Sequence, residues 1–334
     1  MGRKSGVRGR AVHGETGGRG ATSYAERGTG NVLFVAFLAF SLLSGCGANT
    51  ATIEPSPAPV SALPTLIRGD SLVALMARGP VTVIDVRQQW TDYLLNHLTG
   101  AEWAEVETFR AAERGLPFQL LSADHYRDLF QRLGIEAGTP VVIYSAGDAN
   151  DIDATYLAWL LSAMGHPQVR VLDGGYAKWV LDNRVLARDY PRIVPGKALT
   201  NGFRAEAADL ADVQAAVKGN GTILVDARNA QQFAGTAGAQ KRRGHIPGAI
   251  DHPWASDLET RDLSLVWKTP EALRAGYVAQ GITPEKEIIV YCNTGTEASH
   301  LWFALRAILH YSHVRIYTGA WSEWAERDEL PVER

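Results

Sequence analysis

Three segments of this chain recur in order and at nearly constant distance. Pro80–Arg87 (PVTVIDVR) is matched by Thr222–Arg228 (TILVDAR). Pro140–Ser145 (PVVIYS) is matched by Glu287–Cys292 (EIIVYC), and Val169–Trp179 (VRVLDGGYAKW) by Val314–Trp324 (VRIYTGAWSEW). Positions 85 and 226, 145 and 292, and 169 and 314 lie 141, 147 and 145 residues apart. A period held over three landmarks means a duplicated domain with small insertions. The first two segments of each copy are short β-branched runs, the signal of a strand buried on both faces. Helical segments such as Ser71–Arg78, Ala154–Met164 and Thr296–Leu309 alternate with the strands and are expected to be amphipathic. The fold class that follows is α/β: two tandem domains, each a mostly parallel sheet with helices on both faces. The aperiodic stretch Asn183–Gly202, with Pro191, Pro195 and Gly196, holds the link. The boundaries expected are 66–187 for the first domain, 188–204 for the linker and 205–334 for the second.

The 334 residues ahead of and within this repeat carry 33 Lys and Arg against 36 Asp and Glu, a net charge of −3. That balance leaves no electrostatic footprint for a nucleic-acid partner. With two cysteines, Cys46 and Cys292, a multi-cysteine metal site is excluded. Val32–Leu43 is an uncharged apolar run, too short to span a bilayer, which takes roughly 20 residues. Behind a basic leader (Arg3, Lys4, Arg8, Arg10, Arg19, Arg27) it has the form of a secretory signal over residues 1–45. It ends in Leu43-Ser44-Gly45-Cys46, which resembles the bacterial lipoprotein processing box. That resemblance implies cleavage before Cys46, lipid on its sulfur, and a chain lipid-anchored in the bacterial cell envelope on the periplasmic or extracytoplasmic face. Residues 46–65, with Pro55, Pro57, Pro59 and Pro64, read as an extended tether.

Cys292 ends an apolar strand and opens the loop Asn293, Thr294, Gly295, Thr296, Glu297, Ala298, after which a helical pattern begins. Open α/β sheets place their ligands at such strand–loop–helix junctions. Successive loop N–H groups can curl into an anion nest, and with the helix N-terminus they are expected to favour thiolate over thiol. The matching residue of the first copy is Ser145, which points to one working site and one degenerate copy.

These features together resemble the tandem rhodaneses, the family of thiosulfate and 3-mercaptopyruvate sulfurtransferases. The resemblance is carried by the Asp-x-Arg strand ends, Gly244-His245-Ile246-Pro247-Gly248-Ala249-Ile250, the Cys292 loop, and Gly319 with Trp324. It implies a catalytic second domain, an inactive first domain and a Cys292 persulfide. It also implies a small sulfur donor, a thiol or cyanide-like acceptor, no metal or organic cofactor, and a monomer. A membrane-surface persulfide carrier with little turnover is the alternative. The region before the Gly-His turn faces the active loop in this family, so Arg242 and Arg243, with Lys241, are expected to bind substrate. His245, Asp226 and Arg228 are expected to brace the turn and strand end. Trp254, Trp302 and Trp321 are expected to pack in the core or between domains. The family's sulfurtransferase branches place Thr where this chain has Glu297, and a carboxylate there opposes an anionic donor. Cys-x5-Arg phosphatases share the strand–loop–helix form, but their phosphate-clamping Arg is replaced here by Ala298.

Overall fold

The computed structural model describes residues 65–113, 116–148, 152–197 and 206–334. The signal segment, Cys46 and the tether as far as Pro64 lie outside the described residues, and Thr65 already belongs to the first strand. The two copies fold into equivalent five-stranded sheets, parallel throughout. The first runs Thr65–Ile67, Val169–Leu172, Val141–Tyr144, Thr82–Asp85, Ala101–Trp103 from edge to edge. The second runs Ala207–Ala208, Val314–Tyr317, Ile288–Tyr291, Ile223–Asp226, Ile250–Asp251. Val141–Tyr144 and Ile288–Tyr291 are buried at every residue, as a central parallel strand covered on both faces must be.

Register fixes the site. Thr82–Asp85 pairs with Val141–Tyr144 so that Asp85 lies opposite Tyr144, and Ile223–Asp226 pairs with Ile288–Tyr291 so that Asp226 lies opposite Tyr291. The Asp-x-Arg carboxylate of each copy therefore stands beside the residue that precedes Ser145 or Cys292. Arg228 grips Asp226 through Nε (2.9 Å) and Nη2 (2.6 Å), and its Nη2 also donates to the Gly244 carbonyl at 2.7 Å. Both side chains are buried, and the guanidinium lies 4.6 Å from the Trp321 ring centre. The first copy repeats the arrangement, with Arg87 on Asp85 and on the Asn96 carbonyl.

One departure from the expected pattern matters for function. The helix Asp153–Ala163 is not amphipathic: every residue in it is buried. Its second covering layer is the helix Thr296–Trp302, which begins at the Cys292 loop. Thr155 and Ser299 hydroxyls meet there at 3.0 Å, and a single apolar core runs through Trp159 and Leu160 of one copy into Leu301 and Trp302 of the other. Two antiparallel hairpins complete the contact. Arg110–Glu113 pairs with Leu116–Leu120, and Leu258–Arg261 pairs with Ser264–Trp267.

Removing one partner of a buried ion pair leaves an uncompensated charge in a dry interior, at a cost of about 3–5 kcal/mol. Asp226→Ala is therefore expected to destabilise the chain by about that amount, read as a lower urea midpoint at unchanged slope. Loss below about 1 kcal/mol would show that Arg228 finds water or another acceptor.

Candidate active site

Cys292 has no exposed surface. Its Sγ accepts the backbone N–H of Gly295 at 3.0 Å and of Thr294 at 3.4 Å, and the Ala298 N–H also points to it. Gly295 makes this possible: its φ of +102° lies where side-chain-bearing residues are strained, and it turns the chain from loop into helix. The loop is held from below by the helix Ala320–Glu326. The Trp321 N–H donates to the Cys292 carbonyl (2.7 Å) and the Ser322 hydroxyl to the Asn293 carbonyl (2.6 Å). Asn293 donates through Nδ2 to Gln232 at 3.3 Å, while its Oδ1 is buried with no hydrogen-bond partner.

The expected nest is present, but the balance of forces on the sulfur differs from the expectation. Burial pushes the Cys292 thiol well up, and the neighbouring Glu297 carboxylate, which accepts the thiol's hydrogen bond, pushes it further. The loop amides pull the other way and do not prevail. Glu297 itself is raised, first by burial and then by Asp226, while its bond to Cys292 and the charge of Arg228 lower it. The resting site thus favours a protonated sulfur beside a carboxylate that can accept its proton. His300 adds no proton carrier at neutral pH: burial holds it down to about 4, stacked 4.0 Å from Trp267.

A cleft of about 550 Å³ opens beside the loop. Asn293, Thr294, Thr296, Glu297 and Trp254 line it from the second copy, and Arg87, Gln88, Glu105, Glu107 and Arg110 from the first. Trp254 is thus a cleft wall, whereas Trp302 and Trp321 are core residues.

The basic residues before the Gly-His turn are placed elsewhere. Arg242, expected to bind substrate, donates to the carbonyls of Trp324 (2.8 Å), Ala325 (3.1 Å), Arg327 and Leu330 (2.6 Å). Those carbonyls lie at and beyond the end of the helix Ala320–Glu326, where backbone acceptors lack helical partners and the helix dipole favours a cation. Lys241 pairs with Asp328, and Arg243 is exposed beside Val332 and Arg334, outside the cleft. His245 is structural as expected: Nδ1 meets the Phe233 carbonyl at 2.9 Å and the ring stacks on Phe233 at 3.6 Å. The cleft cations are instead Arg87 and Arg110, from the copy without a cysteine. Arg87 sits in the recognised Asp-x-Arg repeat, while Arg110 had no sequence signal, since its position is set by a hairpin crossing between copies.

Ser145 lies where Cys292 lies in the other copy. It keeps the acceptor role and not the chemistry, since its Oγ accepts the Ala154 N–H at 2.9 Å at the start of the helix Asp153–Ala163. Among the described residues, no group of three or more His, Cys, Asp or Glu side chains is arranged to hold a metal ion.

The rhodanese-like domain matches the chain twice, over residues 69–182 and 209–327. The sulfur carrier protein TtuD of Thermus thermophilus is 34% identical over 265 residues, covering 75% of this chain and 90% of that protein. A putative thiosulfate sulfurtransferase of Synechococcus elongatus is 34% identical over 258 residues (75% and 79% covered). The 3-mercaptopyruvate sulfurtransferase of Escherichia coli K12 is 32% identical over 246 residues (72% and 85%). Among solved structures, wild-type EanB superposes with a TM-score of 0.72 at 22% identity, covering 80% of this chain and 68% of that one, which bears on the fold alone. The paired matches, the two equivalent sheets and the cysteine loop at the end of the second central strand place this chain in the rhodanese family as a tandem-domain member.

Proposed function

We propose that this sulfurtransferase moves a sulfane sulfur from a small donor, such as thiosulfate or 3-mercaptopyruvate, to a thiophilic acceptor through a persulfide on Cys292. The observation that carries this reading is the convergence of loop amides on one sulfur atom. Those amides are donors aimed at Cys292 Sγ, the atom that carries negative charge as the attacking thiolate and again as the leaving group. In the first half-reaction the Cys292 proton passes to Glu297 and the thiolate attacks the donor's outer sulfur. The new S–S bond forms as the old one breaks, and the donor remnant leaves with the electron pair. In the second, the acceptor attacks the outer sulfur and the Cys292 thiolate is released as leaving group. A persulfide carrier with little turnover is the second reading, favoured by TtuD, which is named a sulfur carrier protein. We also propose that Cys46 is lipidated and tethers the two domains to a bacterial envelope membrane, on its periplasmic or extracytoplasmic face. Support for this comes from the apolar run and processing box of the sequence. Among the described residues, no helix is long and apolar enough to cross a membrane.

Treatment with thiosulfate is expected to add one sulfur to the Cys292 peptide by mass, and Cys292→Ser to remove both that mass and sulfur transfer to cyanide. A Ser variant that still turns over would take Cys292 out of the mechanism. A wild type that holds the sulfur without passing it to cyanide, cysteine or dithiothreitol would favour the carrier.

Glu297→Thr removes a carboxylate that raises the thiol. The pH midpoint of Cys292 alkylation is expected to fall by roughly one unit, and KM for anionic donors with it. If the midpoint stays put, burial alone holds the thiol up.

For Cys46, the native host's membrane fraction is expected to yield an acylated Cys46 peptide, and Cys46→Ala to release the chain into the soluble fraction. An unmodified Cys46 in the mature protein contradicts the anchor.

A further inference from the structure

The two hairpins are repeat equivalents that cross between copies, each reaching the other copy's loop. At the first position of one stands Arg110, beside the Cys292 loop. At the first position of the other stands Leu258, which shares a cavity of about 50 Å³ with Ser145. Two hydrogen bonds join that second hairpin to the first copy, both donated by its backbone: Leu265 N–H to the Gly147 carbonyl (3.4 Å) and Trp267 N–H to Asp173 Oδ1 (3.1 Å). A guanidinium stands over the loop with a thiol, and an isobutyl group over the loop with a hydroxyl. Packing between domains accounts for the leucine and leaves the arginine unexplained.

We propose that Arg110, on the copy without a cysteine, is a positioning residue for sulfur transfer that acts on Cys292 through the Thr294–Gly295 peptide. Arg110 Nη1 donates to the Thr294 carbonyl at 3.3 Å and to Thr296 Oγ1 at 3.1 Å. The N–H of the same peptide unit, belonging to Gly295, donates to Cys292 Sγ at 3.0 Å. In a trans peptide C=O and N–H point in opposite directions, so guanidinium and sulfur occupy the two ends of one dipole. A cation on the carbonyl end draws electron density along the amide and makes its N–H a stronger donor to negative charge on the sulfur. It also fixes the plane of that amide before the charge develops, which is how preorganised donors lower a barrier.

The guanidinium is itself held in place. It lies 4.8 Å from the centre of the Tyr156 ring, pairs with Glu107 at 2.6 Å, and its side chain is only 4% exposed. The Tyr156 ring closes the same space: a Cβ built on Gly295 would stand 3.6 Å from its Cε2. The non-catalytic copy therefore supplies both a rigid wall and a polarising charge to the loop. This rests on Cys292 being the sulfur-bearing thiol.

The test uses the full chain with Arg110→Gln and Arg110→Lys. Alkylation of the Cys292 peptide by iodoacetamide is followed by mass across pH, beside kcat and KM for thiosulfate with cyanide as acceptor. The midpoint on the pH axis reports the thiolate, whereas the plateau reports access. Arg110→Gln is expected to raise the midpoint by about one unit and lower kcat roughly tenfold, with KM within about twofold. Arg110→Lys, which keeps the charge but not the planar fork, is expected to fall between Gln and wild type. An unchanged midpoint in Arg110→Gln overturns the proposal even if kcat falls, because Arg110 is then a clasp between domains. If the Gln variant does not fold, the Lys variant decides in the same way: a raised midpoint supports the role and an unchanged one overturns it. The midpoint is read on the thiol itself. A chain whose midpoint moves as expected but which transfers no sulfur fails the sulfurtransferase reading and not this one.

Discussion

A buried guanidinium held against one carboxylate is the fixed point of each copy. An arginine so deeply buried persists only where its partner is held within hydrogen-bond reach, and the parallel register holds it there. Asp226 is paired in register with Tyr291, Tyr291 accepts the Ile246 N–H through its hydroxyl (3.1 Å), and Arg228 binds the Gly244 carbonyl. Strand end, Gly-His turn and the Trp321 ring are thereby tied to one charge pair. The next residue along the strand is Cys292, so the sulfur inherits its position from that pair.

The fold was legible in the sequence because its signals are local and repeated. Buried β-branched strands ending in Asp-x-Arg announce themselves twice, and the second copy checks the first. The cysteine loop was legible for the same reason, being one continuous segment in which strand, Gly295 and helix follow in order. Residues brought in from elsewhere were not. Arg242 looked like a substrate ligand on charge and proximity to a family motif. Its guanidinium instead serves four carbonyls at and beyond the final helix, a demand set by backbone geometry some 80 residues away in the chain. Arg110 could not be found from its neighbours because the loop it serves is 184 residues distant. Burial of the whole Asp153–Ala163 helix was missed because its second covering layer comes from the other copy.

The electrostatics of the site follow from the same packing. A thiol that is to become a nucleophile is here enclosed completely and placed against a carboxylate, both of which favour the protonated form. The amide donors can outweigh this once charge appears on sulfur, because they are fixed in advance and need no reorganisation. Such a site resists adventitious oxidation at rest, since thiolate character and exposure govern that chemistry. Glu297 sets the balance: it accepts the thiol's hydrogen bond, and its charge adds to burial in holding the thiol up.

The serine of the first copy sits where a substitution to cysteine would gain little. Its hydroxyl receives a helix-start amide, as a sulfur placed at 145 could. That sulfur would be stranded. Where the Cys292 loop opens onto some 550 Å³, the space beside Ser145 is about 50 Å³, enough for a few waters, and Leu258, Leu265 and Trp267 of the other copy line it. The face of the first copy beside Ser145 is thus part of the contact between the two copies, and the packing that narrows it also seats the second hairpin.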